Sequence, residues 1–429
     1  MSAPVIGFAG MTHLGVNSAA ATLERGFRVV GWDEDAAVVA GLREARAPVT
    51  EPGLDEILAA RGAQARYSVE ASALADCDVV YVSVDVATDD EGRSDLARVN
   101  RTIEAAAAAM RADATLVVLC QVPPGFTAAL AFPKSRLFYQ VETLVFGRAV
   151  DRALNPERFI VGCHDPAAPL SPAYAAYLAA FGCPLLPMRY ESAELAKIAI
   201  NCCLVASVSV ANTLAELCEQ IGAAWSEIAP ALKLDRRIGS HAYLSPGLGI
   251  AGGNLERDLA TVIRLSERHG TDAGVVRAWV ANSRHRRGWV ARTIRRVLLD
   301  ANPSAPMAVW GLAYKENTHS TKNSPSLATL AELPGATLRL HDPVVPAGAA
   351  KHPGAAGFAD PLDAARGAEA LMILTPWPQY REIDPAKIAA AMSGRIVLDP
   401  YAVLDAPGAA RAGLVLHTLG RAPLEATHA

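Results

Sequence analysis

The sequence predicts an α/β protein with two doubly wound parallel-sheet domains joined by a long central helix. Three observations predict it. The first third alternates Val-rich apolar runs of strand length with helical stretches. From Ser192 to Gly222 a helical pattern runs with no glycine or proline before its end. A second strand–helix series begins at Met307 and continues to about residue 420.

The elements follow in order. "PVIGFAG" (4–10) reads as a short buried strand, "VNSAAATLER" (16–25) as a helix and "FRVVGWD" (27–33) as a second strand. "DVVYVSVD" (78–85) and "TLVVLCQV" (115–122) are further strand-length runs. Continuous apolar runs joined by helices indicate a parallel sheet covered on both faces. The helix of 192–222 stops at Gly222, and some thirty residues at about 1.5 Å rise span roughly 45 Å. A helix of that length links two domains or packs against a partner subunit. Further helices are expected over 224–232 and 256–300. "LLDANPSAP" (298–306) marks a composition shift. "MAVWGLAYK", "ATLRLHDP", "ALMILTPW" and "GRIVLDP" then supply the strands of the second α/β domain. The division reads as 1–190, 191–300 and 301–429, with a frayed "LEATHA" tail. No sequence repeat relates the two ends.

Composition bounds the function. The chain has 429 residues, 51% hydrophobic and 20% charged, with a net charge of −4. That balance, without a long Lys/Arg run, argues against nucleic-acid binding. The N-terminus has no charged region before its apolar run, so it does not read as a signal peptide. No apolar run approaches the ~20 residues of a membrane span. The seven cysteines are irregularly spaced, without a CxxC pair. They read as buried reduced thiols of a cytoplasmic protein, and no metal site is expected.

Residues 10–15, "GMTHLG", follow the first strand and open a helix. A dinucleotide-binding turn wants G-x-G-x-x-G there, because free N–H groups and the helix dipole attract the pyrophosphate. Gly10 and Gly15 are present and the middle glycine is Thr12. Its side chain crowds a pyrophosphate unless the phosphate shifts or accepts a hydrogen bond from the hydroxyl. Asp33 ends the second strand, where an acid holds the ribose hydroxyls of NAD and repels the phosphate of NADP.

Motifs over nearly the whole length extend this reading. "APVTEPGLDEIL" (47–58), "DEGRSDLARV" (90–99), "VPPGFT" (122–127) and "ETLVFGRAVDRALNPERFIVG" (142–162) precede "SAELAKIAIN" (192–201). "LDRRIGSHAYLSPG" (234–247), "GGNLERD" (252–258), "WGLAYKENT" (310–318), "NSPS" (323–326) and "LTPWPQY" (374–380) follow. In that order they resemble the UDP-glucose/GDP-mannose dehydrogenase family. The resemblance implies two Rossmann-like domains, a dimer-forming central helix, and NAD-dependent oxidation of a nucleotide-activated sugar, UDP- or GDP-linked. It implies catalytic roles for Lys197, Asn201, Asp258 and Glu142. Gly10, Thr12, Gly15, Asp33, Val84, Gln121 and Lys322 are expected at the cofactor. Leu144, Arg237, Tyr243, Gly247, Gly249 and Lys315 are expected at the substrate, with Arg237 reaching across a dimer.

The departures lie where the chemistry is. The family's catalytic Cys aligns with Asn254, the Thr of its "S-T-V-P" with Gln121, and the second Glu of its "E-F-L-x-E-G" with Phe146. The Arg before its "E-S-P" aligns with Lys322, and the segment between 127 and 141 looks shortened. Only the second of the family's two oxidations needs a thiolate nucleophile. Lys197 and Asn201, four residues apart, share one helix face and retain equipment for the first: a Lys to deprotonate the alcohol or stabilise an alkoxide, and an amide donor. The reading is a dehydrogenase that stops after one oxidation, most simply a secondary alcohol to a ketone. A C6 aldehyde-forming enzyme, an NAD-retaining epimerase, and a non-catalytic sugar-nucleotide scaffold or sensor are the alternatives.

Overall fold

The computed structural model describes residues 3–89, 92–250 and 254–424. It separates into two units, residues 1–200 and 201–429.

In the first unit eight strands are ordered β3-β2-β1-β4-β5-β6-β7-β8. They are β1 (Val5–Ala9), β2 (Arg28–Trp32), β3 (Ala65–Ser68), β4 (Val79–Val82), β5 (Thr115–Val118), β6 (Leu137–Gln140), β7 (Phe159–Cys163) and β8 (Leu185–Arg189). The β6–β7 pair is antiparallel and the other pairs are parallel. Strands β1, β4 and β5 are buried at every position, as expected of parallel strands with both faces covered. The strands expected over 78–85 and 115–122 end at Val82 and Val118, and the residues beyond them form loops at the carboxyl edge. The first helix is His13–Glu24, so it opens directly from the glycine turn and not at residue 16.

The long helix runs Tyr190–Ile221, 32 residues, and Gly222 beyond it takes φ +76°, a left-handed end that glycine adopts without strain. By length and composition this helix is apolar enough to cross a membrane, a property the sequence reading had not credited to any segment. Its Glu194 and Asn201 are buried and hydrogen-bonded to protein groups. The expected helical stretch 256–300 is three helices, Asn254–His269, Gly274–Arg287 and Trp289–Ile294, followed by a π turn at Arg295–Leu299.

In the second unit a six-stranded parallel sheet has the order β11-β10-β9-β12-β13-β14. Its strands are β9 (Pro306–Trp310), β10 (Thr337–His341), β11 (Ala355–Gly357), β12 (Ala370–Ile373), β13 (Ile396–Leu398) and β14 (Val415–His417). Of the tail expected to fray, 424–429, Leu424 is instead paired with Leu416 by two backbone hydrogen bonds, and residues 425–429 lie outside the described residues.

The two sheets repeat one device. Gly10 and Gly311 both take φ +98°. Each donates its N–H to the last residue of the neighbouring strand, Trp32 or His341, at 2.8 Å. The next amide, of Met11 or Leu312, donates to the acid that follows that strand, Asp33 at 2.7 Å or Asp342 at 2.6 Å. A Cβ on Gly10 would lie 2.2 Å from Val84, and one on Gly311 2.4 Å from Thr375. The repeat is one of backbone geometry.

Candidate active and cofactor site

The glycine turn is built for close approach. A Cβ on Gly15 would lie 1.9 Å from the Gly10 carbonyl oxygen, so Gly15 lets the first helix seat on β1. Asp33 is buried; one carboxylate oxygen accepts from Met11 N–H, and the other accepts from Asp35 N–H at 3.0 Å and faces Arg98 at 3.5 Å. Each oxygen retains lone-pair capacity for a hydroxyl. Gly10, Asp33, Val84, Arg98 and Thr102 line an open cleft. These donors and acceptors fit the adenosine half of NAD. Thr12 departs from the reading of a hydroxyl offered to phosphate. Its Oγ1 donates to Ser83 O at 3.1 Å and accepts from Asp85 N–H at 3.0 Å, tying the turn to the loop after β4.

A strap over residues 142–149 is fastened to the same turn. Glu51, buried, receives three hydrogen bonds or ion-pair contacts: His13 Nε2 at 2.8 Å, Gly147 N–H at 2.9 Å and Ala149 N–H at 3.2 Å. The Phe146 ring packs on the His13 ring with centroids 4.1 Å apart. Phe146 thus takes an apolar job where the resemblance implies an acid. Leu144 is half-buried on this strap, and its N–H donates to the Glu142 carboxylate. Neither Glu51 nor His13 stood among the expected site residues. The only signal was the acid in "TEPG", which carries no spacing rule of its own.

Lys197 and Glu142 meet. Lys197 Nζ donates to the Glu142 carbonyl oxygen at 2.8 Å and lies 3.5 Å from its carboxylate, with the two side chains 12% and 19% exposed. One turn earlier on the long helix, Glu194 is fully buried and accepts from Gly125 N–H at 2.6 Å and Thr127 N–H at 2.8 Å. It holds the "VPPGFT" loop beside half-buried Gln121. Burial raises the Glu194 carboxyl above its ordinary value, and the two amides oppose this.

In the second unit Asn201 Nδ2 donates to Asp258 Oδ2 at 2.5 Å, and Arg257 Nε lies 3.4 Å from Asp258 Oδ1. All three are buried. Asn254 is exposed as the first residue of the helix Asn254–His269. Gly252 and Gly253 lie outside the described residues. Arg287 bonds the chain on both sides of them, donating to Ile250 O at 2.6 Å and Glu256 Oε1 at 2.9 Å. The floor before them is clamped: Gly247 N–H donates to Asn212 Oδ1 at 2.8 Å and Ile250 N–H to Ser283 Oγ at 2.8 Å. Gly249 takes φ +78°, and a Cβ there would lie 2.4 Å from Ser283 O, so this position requires glycine. Tyr243 is exposed. Arg237 forms a bidentate surface ion pair with Asp235, at 3.0 and 2.6 Å. The Lys315 ammonium sits 5.7 Å over the Tyr314 ring, and Lys322 is exposed.

Comparison with known proteins agrees with this arrangement. Three models of the UDP-glucose/GDP-mannose dehydrogenase family match: the NAD binding domain over residues 5–176, the central domain over 191–284 and the UDP binding domain over 308–406. A UDP-glucose 6-dehydrogenase of Pseudomonas aeruginosa is 31% identical over 96% of each chain. One from Bacillus subtilis is 26% identical over 97% of this chain and 93% of its own. Among solved structures, a UDP-glucose dehydrogenase from the archaeon Pyrobaculum islandicum superposes with a TM-score of 0.81 at 26% identity, covering 93% of this chain and 94% of its own. A UDP-D-ManNAc dehydrogenase from Pyrococcus horikoshii, at 22% identity and a TM-score of 0.83 over 97% and 99% of the two chains, shares the fold. The chain therefore belongs to the UDP-glucose/GDP-mannose dehydrogenase family and is an NAD-dependent oxidoreductase acting on the CH–OH of a nucleotide sugar.

Proposed function

We propose that this chain performs a single oxidation of its nucleotide sugar, converting a secondary alcohol to a ketone. The observation that carries the reading is Asn254, exposed at the start of its helix where the resemblance implies a thiol. An amide forms no thiohemiacetal, so a second hydride has no covalent intermediate to leave from. The nearest thiol in sequence to Asn201 is no substitute: burial, reinforced by the Asp258 carboxylate, pushes the Cys202 thiol up to about 11. At neutral pH it is a protonated, unreactive group. A ketone product carries no carbonyl hydrogen, so the chemistry ends there without a thiol.

When bound, NAD supplies the hydride acceptor. The Lys197 ammonium stabilises the alkoxide as the hydroxyl proton leaves, and the Glu142 carboxylate accepts that proton. Asp258 fixes the Asn201 amide through one N–H, which leaves the other for a hydrogen bond of its own. Asn254→Cys tests the choice of alcohol. On a secondary-alcohol substrate the variant still yields one NADH per sugar; a carboxylate product would show a primary alcohol, and the reading of a ketone would fall.

The long helix supports a homodimer. Val210, Leu214, Leu217 and Ile221 are each 40–64% exposed and recur at the spacing of one helix face. Sedimentation at micromolar concentration is expected to give twice the 45.0 kDa chain mass; a monomer would contradict it. The seven free cysteines suit a reducing, cytoplasmic location.

The non-catalytic reading has one specific observation in its favour, a protein carboxylate at the start of the first helix.

A further inference from the structure

We infer that Asp85 is a built-in occupant of the place where the cofactor's pyrophosphate binds, and that it thereby sets the affinity for the dinucleotide. This rests on the assignment of the chain as NAD-binding and is independent of how many oxidations follow. The first amide of the first helix, His13 N–H, donates to Asp85 Oδ2 at 3.1 Å. In a strand–turn–helix dinucleotide site that helix end attracts an anion through its N–H groups and its dipole. Here the anion comes from the chain itself.

The placement of Asp85 is built. Its own N–H donates to Thr12 Oγ1 at 3.0 Å, and Thr12 Oγ1 donates onward to Ser83 O at 3.1 Å. Ser83 Oγ in turn donates to Gly10 O at 2.8 Å. The loop after β4 is thus stitched to the glycine turn at two positions, 83 and 85. Thr12 has an ordinary extended backbone, φ −77° and ψ −170°, so nothing about its conformation calls for a threonine. What it supplies is the hydroxyl, used once as donor and once as acceptor. A glycine at 12 would remove the hydroxyl that accepts from Asp85 N–H. Thr12 and Asp85 act as one unit.

The adenosine cleft shares Gly10 with this stitch but not Asp85. Asp85 is not among the residues that line it, whereas Gly10, Asp33, Arg98 and Thr102 are. The site therefore accepts a nucleoside without disturbing Asp85. A diphosphate, in contrast, must turn the carboxylate off His13 or sit beside a like charge. NAD binding and Asp85 release are coupled, and the dinucleotide binds more weakly than the cleft alone would allow.

Calorimetric titration of the full chain with NAD⁺ and with adenosine separates these terms. Asp85→Ala is expected to bind NAD⁺ roughly tenfold or more tightly than the unmodified chain, as removal of a like charge at contact distance implies. Adenosine affinity is expected to stay the same. Thr12→Gly is expected to shift NAD⁺ affinity in the same direction by a smaller factor. The apo Asp85→Ala protein should melt slightly lower, having lost an anion at a helix start, while its NAD⁺-induced rise in Tm grows. Unchanged or weaker NAD⁺ binding by a folded Asp85→Ala protein would overturn the inference. Equal tightening for adenosine would overturn it too, as would no NAD⁺ binding by any of the three proteins. None of these readouts depends on turnover, so the single-oxidation reading stands or falls separately.

Discussion

Lys197→Ala is expected to lower hydride transfer by roughly 10²–10⁴-fold, the range that a positioned proton-handling group contributes. Lys197 Nζ is held at one point by the Glu142 carbonyl at 2.8 Å and sits 3.5 Å from its carboxylate. Alanine removes the charge that stabilises the alkoxide and leaves Glu142 without its nearest cation. Lys197→Arg keeps the charge but spreads it over a wider planar group that does not fit the same point, so it should recover little activity. Single-turnover NADH absorbance measures the step directly. Undiminished transfer in Lys197→Ala, with Tm preserved, would remove this residue from the mechanism. Because the pair is only partly exposed, the Tm change is a necessary companion measurement.

Glu51→Ala should give the largest loss of stability. Its carboxylate gathers His13 Nε2, Gly147 N–H and Ala149 N–H within 3.2 Å in a buried position. Truncation leaves these donors without that acceptor and should cost about 3 kcal/mol. For a unit of this size that lowers Tm by roughly 6–12 °C. Glu44→Ala is the control: Glu44 pairs with Arg46 on an exposed surface, where both side chains are more than 60% accessible, and little change is expected. Equal melting of the two variants would show that Glu51 does not fasten the strap. Activity should fall with Tm in Glu51→Ala, since the strap begins at Glu142.

The parts of this molecule that a sequence reveals are those with local signatures. Strands β1, β4 and β5 are continuous apolar runs, because parallel strands bury both faces. β8 was invisible for the converse reason: Leu185 and Leu186 are about 40% exposed, and the strand has neither alternation nor a buried run. Gly10 and Asp33 were legible because the cofactor turn has a fixed spacing. Asp85 and Glu51 were not, since their roles arise only when the chain returns 72 and 38 residues away in sequence to meet His13. The repeat between the two sheets was hidden for another reason. Met11 matches Leu312, and Val84 matches Thr375, so the backbone geometry is shared while the side chains differ. Lys197 and Asn201 were placed on one helix by their spacing. Their anchors, Glu142 and Asp258, came from the resemblance, and no spacing rule would have paired them. Arg237 was expected to reach substrate across a dimer and forms an ion pair with Asp235 on its own chain.

The central claim is a single oxidation. The direct measurement is NADH yield and product mass, followed together, when the purified protein is incubated with NAD⁺ and a panel of UDP- and GDP-sugars. The account predicts one NADH per sugar and a product lighter by two hydrogens. A carboxylate product with two NADH per sugar would contradict it.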